Sequence, residues 1–167
     1  HKTLLKITNR GVEYVALEAS SHGLSQFRMD GIEVEVAAFT NFSREHLDYH
    51  RTMSRYFSAK SRLFTELLTA KGVAVINSDD KMAAKLAAML KKRDIKFIDF
   101  GKNANDIILK NIEILPDGQS LSFSVFGQIS NVKLPLIGSF QSMNVLCALA
   151  IVIAGGLDLK KAIRALS

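Results

Sequence analysis

Apolar residues in this chain follow two rhythms. Near-continuous β-rich runs occur at "EYVALEA" (13–19), "VEVAAFTN" (34–41), "GVAVINS" (72–78) and "IKFIDFG" (95–101). Such runs predict strands covered by helices on both faces, as in a mainly parallel sheet. Between them, helical spacing of the apolar positions predicts one helix over about 52–70 and another over about 79–93. From 107 to 138 the pattern becomes short alternating segments, broken at Pro116-Asp117-Gly118 and at Gly127. That texture predicts a small antiparallel meander added to the parallel sheet. Two helices follow, 140–154 ended by Gly155-Gly156, and 158–166 with Asp158 as N-cap. The class is therefore α/β, a mainly parallel sheet flanked by helices, without internal repeats.

Composition narrows this only modestly. A length of 167 residues suits one domain with its own core, and 48% hydrophobic with 23% charged residues is ordinary for a globular protein. The longest apolar run, "VLCALAIVIA" (145–154), is far shorter than the roughly 20 residues of a membrane span. No secretion signal opens the chain, and lone Cys147 lies inside that run without a disulfide partner, so a reducing, cytoplasmic setting is expected. The net charge of +6 is spread thinly, with "KKRDIK" (91–96) its densest point. It suits anionic small molecules; no recognition motif supports nucleic acid.

The polar residues matter more. The first predicted strand ends at Glu18, followed by Ser20, Ser21 and His22; the second ends at Thr40 and Asn41, followed by Ser43 to His50. The third ends at Asn77, followed by Asp79 and Asp80. Ligands of open parallel sheets bind outside the carboxyl ends of the strands, where all these residues would lie. His46 and His50 could share a helix face on a zinc ion, but neither a third ligand nor an H-E-x-x-H glutamate accompanies them. His22 and His50 read as structural, Asp48 as an acid that orients a neighbouring histidine or starts the next helix, and Asp79 and Asp80 as helix N-terminal acids.

The helix "TMSRYFSAKSRLFTELL" (52–68) carries the sharpest signal. Met53, Tyr56, Phe57, Leu63, Phe64, Leu67 and Leu68 form its apolar stripe, and at about 100° per residue Lys60 falls near the middle of it. A lysine there either snorkels to water or enters a site where desolvation lowers its pKa. In the second case the neutral amine can take up carbon dioxide as a carbamate, an oxygen ligand for a hard cation alongside Glu18 and His46.

At these residues the chain resembles the Mur ligase family, most closely its MurE branch, the UDP-N-acetylmuramoyl-tripeptide synthetases. "LEASSHGLSQFR" (17–28), "AAFTNFSREHLDYH" (37–50), "YFSAKSRLF" (56–64), "AVINSDD" (74–80) and "IGSFQSMN" (137–144) carry the likeness, in family order. It implies a partial central, P-loop-like domain over 1–167, with Glu18 and His46 as magnesium ligands and Lys60 carboxylated. It further implies that Ser20, Gln26 and Arg28 contact UDP-N-acetylmuramoyl dipeptide, while Asn144 and Asn41 serve the nucleotide. The implied reaction joins an amino acid to that dipeptide at the expense of ATP, through an acyl phosphate.

Some positions depart from the family pattern. Glu45 replaces the usual Asp, Gln141 the usual Asn, and Ala19 a common valine. No G-x-x-G-K-[ST] loop occurs in the sequence. The family carries that loop upstream of the residues seen here, and its UDP-binding and amino-acid-binding domains are not represented. The expectation is an excised piece, inactive alone, of an amide ligase. A non-catalytic substrate- and metal-binding module, or a related ligase such as folylpolyglutamate synthetase, is the alternative.

Overall fold

The computed structural model describes residues 2–166. Val34–Phe39 (β1), Leu68–Asn77 (β2), Lys96–Gly101 (β3), Ile107–Leu115 (β4), Gly118–Val125 (β5) and Gln128–Leu134 (β6) form one sheet, in chain order across it. The β1/β2, β2/β3 and β3/β4 pairs are parallel, and β4/β5 and β5/β6 antiparallel. A mainly parallel sheet with an appended meander is thus borne out.

Helices cover the sheet on both sides. Met53–Arg62 (α4) and Ala83–Lys92 (α5) pack on one face, where Phe39, Phe57, Phe64, Ala74, Ile76 and Leu86 share a core. Phe140–Ala154 (α6) and Leu159–Arg164 (α7) cover the other, with Val75, Phe100, Ile107, Phe123 and Leu146. Successive β2 residues therefore enter opposite cores, which is why that strand reads as an unbroken apolar run. Cys147 is buried in the second core, and burial pushes its thiol up to about 12. Asp158 caps α7, accepting from the Lys161 backbone N–H at 3.1 Å. Among the described residues no helix is long and apolar enough to cross a membrane.

The elements depart from expectation in three places. First, 13–19 forms no strand. It has no regular secondary structure, with Tyr14 78% and Leu17 54% exposed. A strand needs a ladder partner as well as an apolar pattern. β1 forms the sheet's edge, pairing with β2 and, among the described residues, with nothing on its other side. Lys2–Thr8 (α1), Ser21–Ser25 (α2) and Leu47–His50 (α3) are short helices that the apolar rhythm did not announce.

Second, α4 ends in a π-helical turn, Leu63–Leu67, and passes straight into β2 at Leu68, so the predicted 52–70 helix stops early. Arg93 donates to the Phe64 carbonyl within that turn. Third, β3 and β4 pair only through Phe100–Ile107 and Gly101–Ile108, so β4 starts beside the end of β3 and runs on past it.

Carboxylates fix that junction. Asp99 accepts from the backbone N–H groups of Asn105 and Asp106, both at 2.8 Å, and from Ser78 Oγ at 3.0 Å. Burial alone would raise the Asp99 pKa; these hydrogen bonds outweigh it and hold the carboxyl below its ordinary value. Asp79 accepts from the N–H groups of Lys102 and Asn103 at 2.8 and 2.9 Å, a loop-holding role in place of the expected helix N-terminal acid. Asp99→Ala would leave two backbone donors of a half-buried loop unpaired, at a cost of about 2–3 kcal/mol. Denaturant titration of the variant should show that loss.

Candidate functional site

The carboxyl ends of β1 and β2 are tied to each other. Asn77 Nδ2 donates to the Thr40 carbonyl at 2.7 Å, and the Phe42 N–H donates to Asp80 Oδ2 at 2.6 Å. Asp80 Oδ1 accepts from the Met82 N–H at 2.8 Å, in the turn before α5. Asp80 thus anchors the loop leading from Asn41 to His46, a larger role than that of a helix-start acid.

Lys60 projects from α4 beneath this rim. Its side chain is half-buried, with Nζ 5.7 Å from the centroid of the Phe39 ring and 5.6 Å from that of Tyr56. The position on the apolar stripe is as the helical spacing predicted. Burial pushes its pKa down; Asp80, Glu45 and Glu18, in that order, pull it back up without reversing the shift. Among the described residues the ion pairs are those of Arg62 with Asp30 and Glu66, and Lys60 has no hydrogen-bond acceptor. It is a desolvated amine facing three carboxylates and contacting none.

His46 begins α3 in the left-handed region, φ 58 and ψ 23, and its ring meets the Tyr56 ring edge-on at 6.1 Å. Lys60 and His46 therefore both lie against Tyr56, while Glu18 lies in the exposed irregular segment before α2. Among the described residues no three His, Cys, Asp or Glu side chains converge to hold a metal ion. Glu18 and His46 supply oxygen and nitrogen donors, and Lys60 would add an oxygen donor only as a carbamate.

Two hydrogen bonds stitch α3 to α2. His50 Nε2 lies 3.0 Å from Ser21 Oγ, and Gln26 Nε2 donates to Tyr49 Oη at 3.1 Å. His50 is buried and structural, as expected; burial, then the nearby His22 and His46, lower its pKa. Ser20 caps α2 through Gly23 N–H, which engages its hydroxyl. Gln26 and Arg28 remain on the surface beside Tyr49, whose pKa falls through hydrogen bonds from Gln26 and Ser25. Tyr49 was not singled out from the sequence; only its place in "LDYH" hinted at a role. Asn144 lies apart, exposed on the first turns of α6, where its Nδ2 donates to Gln141 Oε1 at 3.1 Å. Asn41 is exposed at the rim.

The chain matches the family described as the Mur ligase middle domain over residues 1–152. It is 47% identical to the UDP-N-acetylmuramoyl-L-alanyl-D-glutamate--2,6-diaminopimelate ligase of Zymomonas mobilis, over 93% of this chain and 32% of that protein. It is 41% identical to the ligase of the same name in Anaplasma marginale, over 93% of this chain and 33% of that protein. A solved structure of such a ligase superposes with a TM-score of 0.89 at 31% identity, covering 99% of this chain and 34% of that one. The chain thus spans about a third of the length of the relatives it matches.

Asp80→Asn keeps an acceptor for only one of the Phe42 and Met82 N–H groups and removes the negative charge that does most to raise the Lys60 pKa. The Lys60 amine should then titrate lower than in the parent, with a larger neutral fraction at any given pH. NMR titration of lysine labelled at Cε measures this, and an unchanged Lys60 curve would refute the electrostatic link.

Proposed function

The chain belongs to the Mur ligase middle-domain family, and from that premise we propose that it is the central part of an ATP-dependent amide ligase of peptidoglycan precursor synthesis. The acceptor is UDP-N-acetylmuramoyl-L-alanyl-D-glutamate, and the names of its relatives point to 2,6-diaminopimelate as the amine that is added. One observation carries the reading: the Lys60 amine is half-buried over the Phe39 and Tyr56 rings without an ion-pair partner among the described residues, and burial lowers its pKa while Asp80, Glu45 and Glu18 raise it.

The chemistry follows from charge. In its ammonium form Lys60 partly balances three carboxylates. Carboxylation of the neutral amine forms an N–C bond, releases a proton and replaces that cation with an anion. Four negative groups then need a divalent cation, so carbamate formation and metal binding should be mutually dependent. Mg2+ held by Glu18, His46 and carboxylated Lys60 would neutralise charge between the γ-phosphate and the attacking substrate carboxylate.

The acceptor carboxylate attacks the γ-phosphorus, giving an acyl phosphate and ADP. The incoming amine then attacks the acyl carbon, loses a proton and expels inorganic phosphate. Ser20, Gln26 and Arg28 would hold the acceptor, with Arg28 suited to an anionic group. Asn144 and Asn41 would contact the nucleotide. The Gln26–Tyr49 and Ser21–His50 hydrogen bonds join α2 to α3, which supports a shared surface for Ser20, Gln26 and His46.

Lys60→Met in the full-length protein should lose several kcal/mol of charge stabilisation, about 10²–10³-fold in ligation rate. With labelled bicarbonate and Mg2+, the parent should show a carbamate carbon resonance that the variant lacks. A fully active variant, or a parent without the resonance, would refute the lysine's role.

A further inference from the structure

Gln119 lies on β5 with 0% exposure, and a buried amide is costly unless its polar atoms are bonded. Its Nε2 donates to the Leu136 carbonyl at 3.1 Å and to the Gly138 carbonyl at 3.3 Å; its Oε1 has no partner. Both acceptors belong to the segment joining β6 to α6. That segment has little else to hold it. Pro135 has no N–H, Gly138 sits at φ +104, and no side chain caps α6 at Ser139. The Gly138 carbonyl also accepts from the Gln141 N–H at 3.0 Å, so the buried amide and the first turn of α6 share one acceptor. Gln141 in turn holds Asn144. Beside them the apolar side chains of Ile137 and Phe140 are 76% and 65% exposed.

We propose that Gln119 is a positioning residue for the nucleotide end of the site. It fixes the Leu136–Gly138 turn, so that Ile137, Phe140 and the Gln141–Asn144 pair present a set face to a planar base. This rests on the nucleotide reading of Asn144. The residue touches no reacting atom; it acts through the turn.

Gln119→Met keeps the length of the side chain but removes both donors. Amide exchange over 136–142 should accelerate in this chain while thermal unfolding stays cooperative. In the full-length protein the apparent KM for ATP should rise about five- to tenfold, with kcat and the acceptor KM unchanged. Gln119→Glu supplies a control that a space-filling role would not satisfy. Its carboxylate cannot donate, whereas the protonated acid can, so protection of the turn should return as pH falls in this variant alone. Unchanged exchange in Gln119→Met overturns the proposal, as does faster exchange with an unchanged KM for ATP. Asn144→Ala separates the two ideas. If it raises that KM while Gln119→Met does not, only the role of Gln119 falls; if it too has no effect, the nucleotide reading falls with it.

Discussion

Keeping one amine partly out of water is the constraint around which the site is arranged. Lys60 sits against the Phe39 and Tyr56 rings, and the packing that buries it is the same packing that joins α4 to the sheet. A protonated lysine there meets two aromatic faces but no carboxylate within ion-pair distance, and desolvation shifts it toward the neutral form. The three carboxylates oppose that shift from a distance. The outcome is a side chain whose charge depends on its surroundings, which an exposed lysine or an arginine would not provide.

The acids come from three parts of the chain. Glu18 lies in the irregular segment before α2, Glu45 in the loop after β1, and Asp80 in the turn after β2. The last two are kept in register by Asp80 itself, which receives the Phe42 N–H, and by Asn77, which donates to Thr40. Hydrogen bonds between backbone and side chain thus convert two independent strand ends into one rim. Across α2 and α3, the Ser21–His50 and Gln26–Tyr49 pairs apply the same logic to neighbouring helices.

Much of this was legible in the sequence, for identifiable reasons. The strands β1 to β3, the meander and the buried place of Lys60 each leave a periodic mark, because a run of side chains must meet a particular face. The irregular state of 13–19 left none: its apolar pattern is that of a strand, and pairing depends on a neighbour that pattern cannot reveal. Asp79, Asp80 and Gln119 were hidden for a related reason. Their partners lie 23, 38 and 17 residues away, so their identities as loop anchors exist only after folding.

The absence of any connecting loop between α4 and β2 has a further consequence. The π-helical turn hands the chain directly from helix to strand at Leu68. Inserting or deleting one residue between Lys60 and Leu68 would swing the lysine by about 100° relative to the strand, or exchange the inward and outward side chains of β2. With no slack to absorb it, that stretch acts as a ruler: its length is set by geometry even where its composition is free to drift.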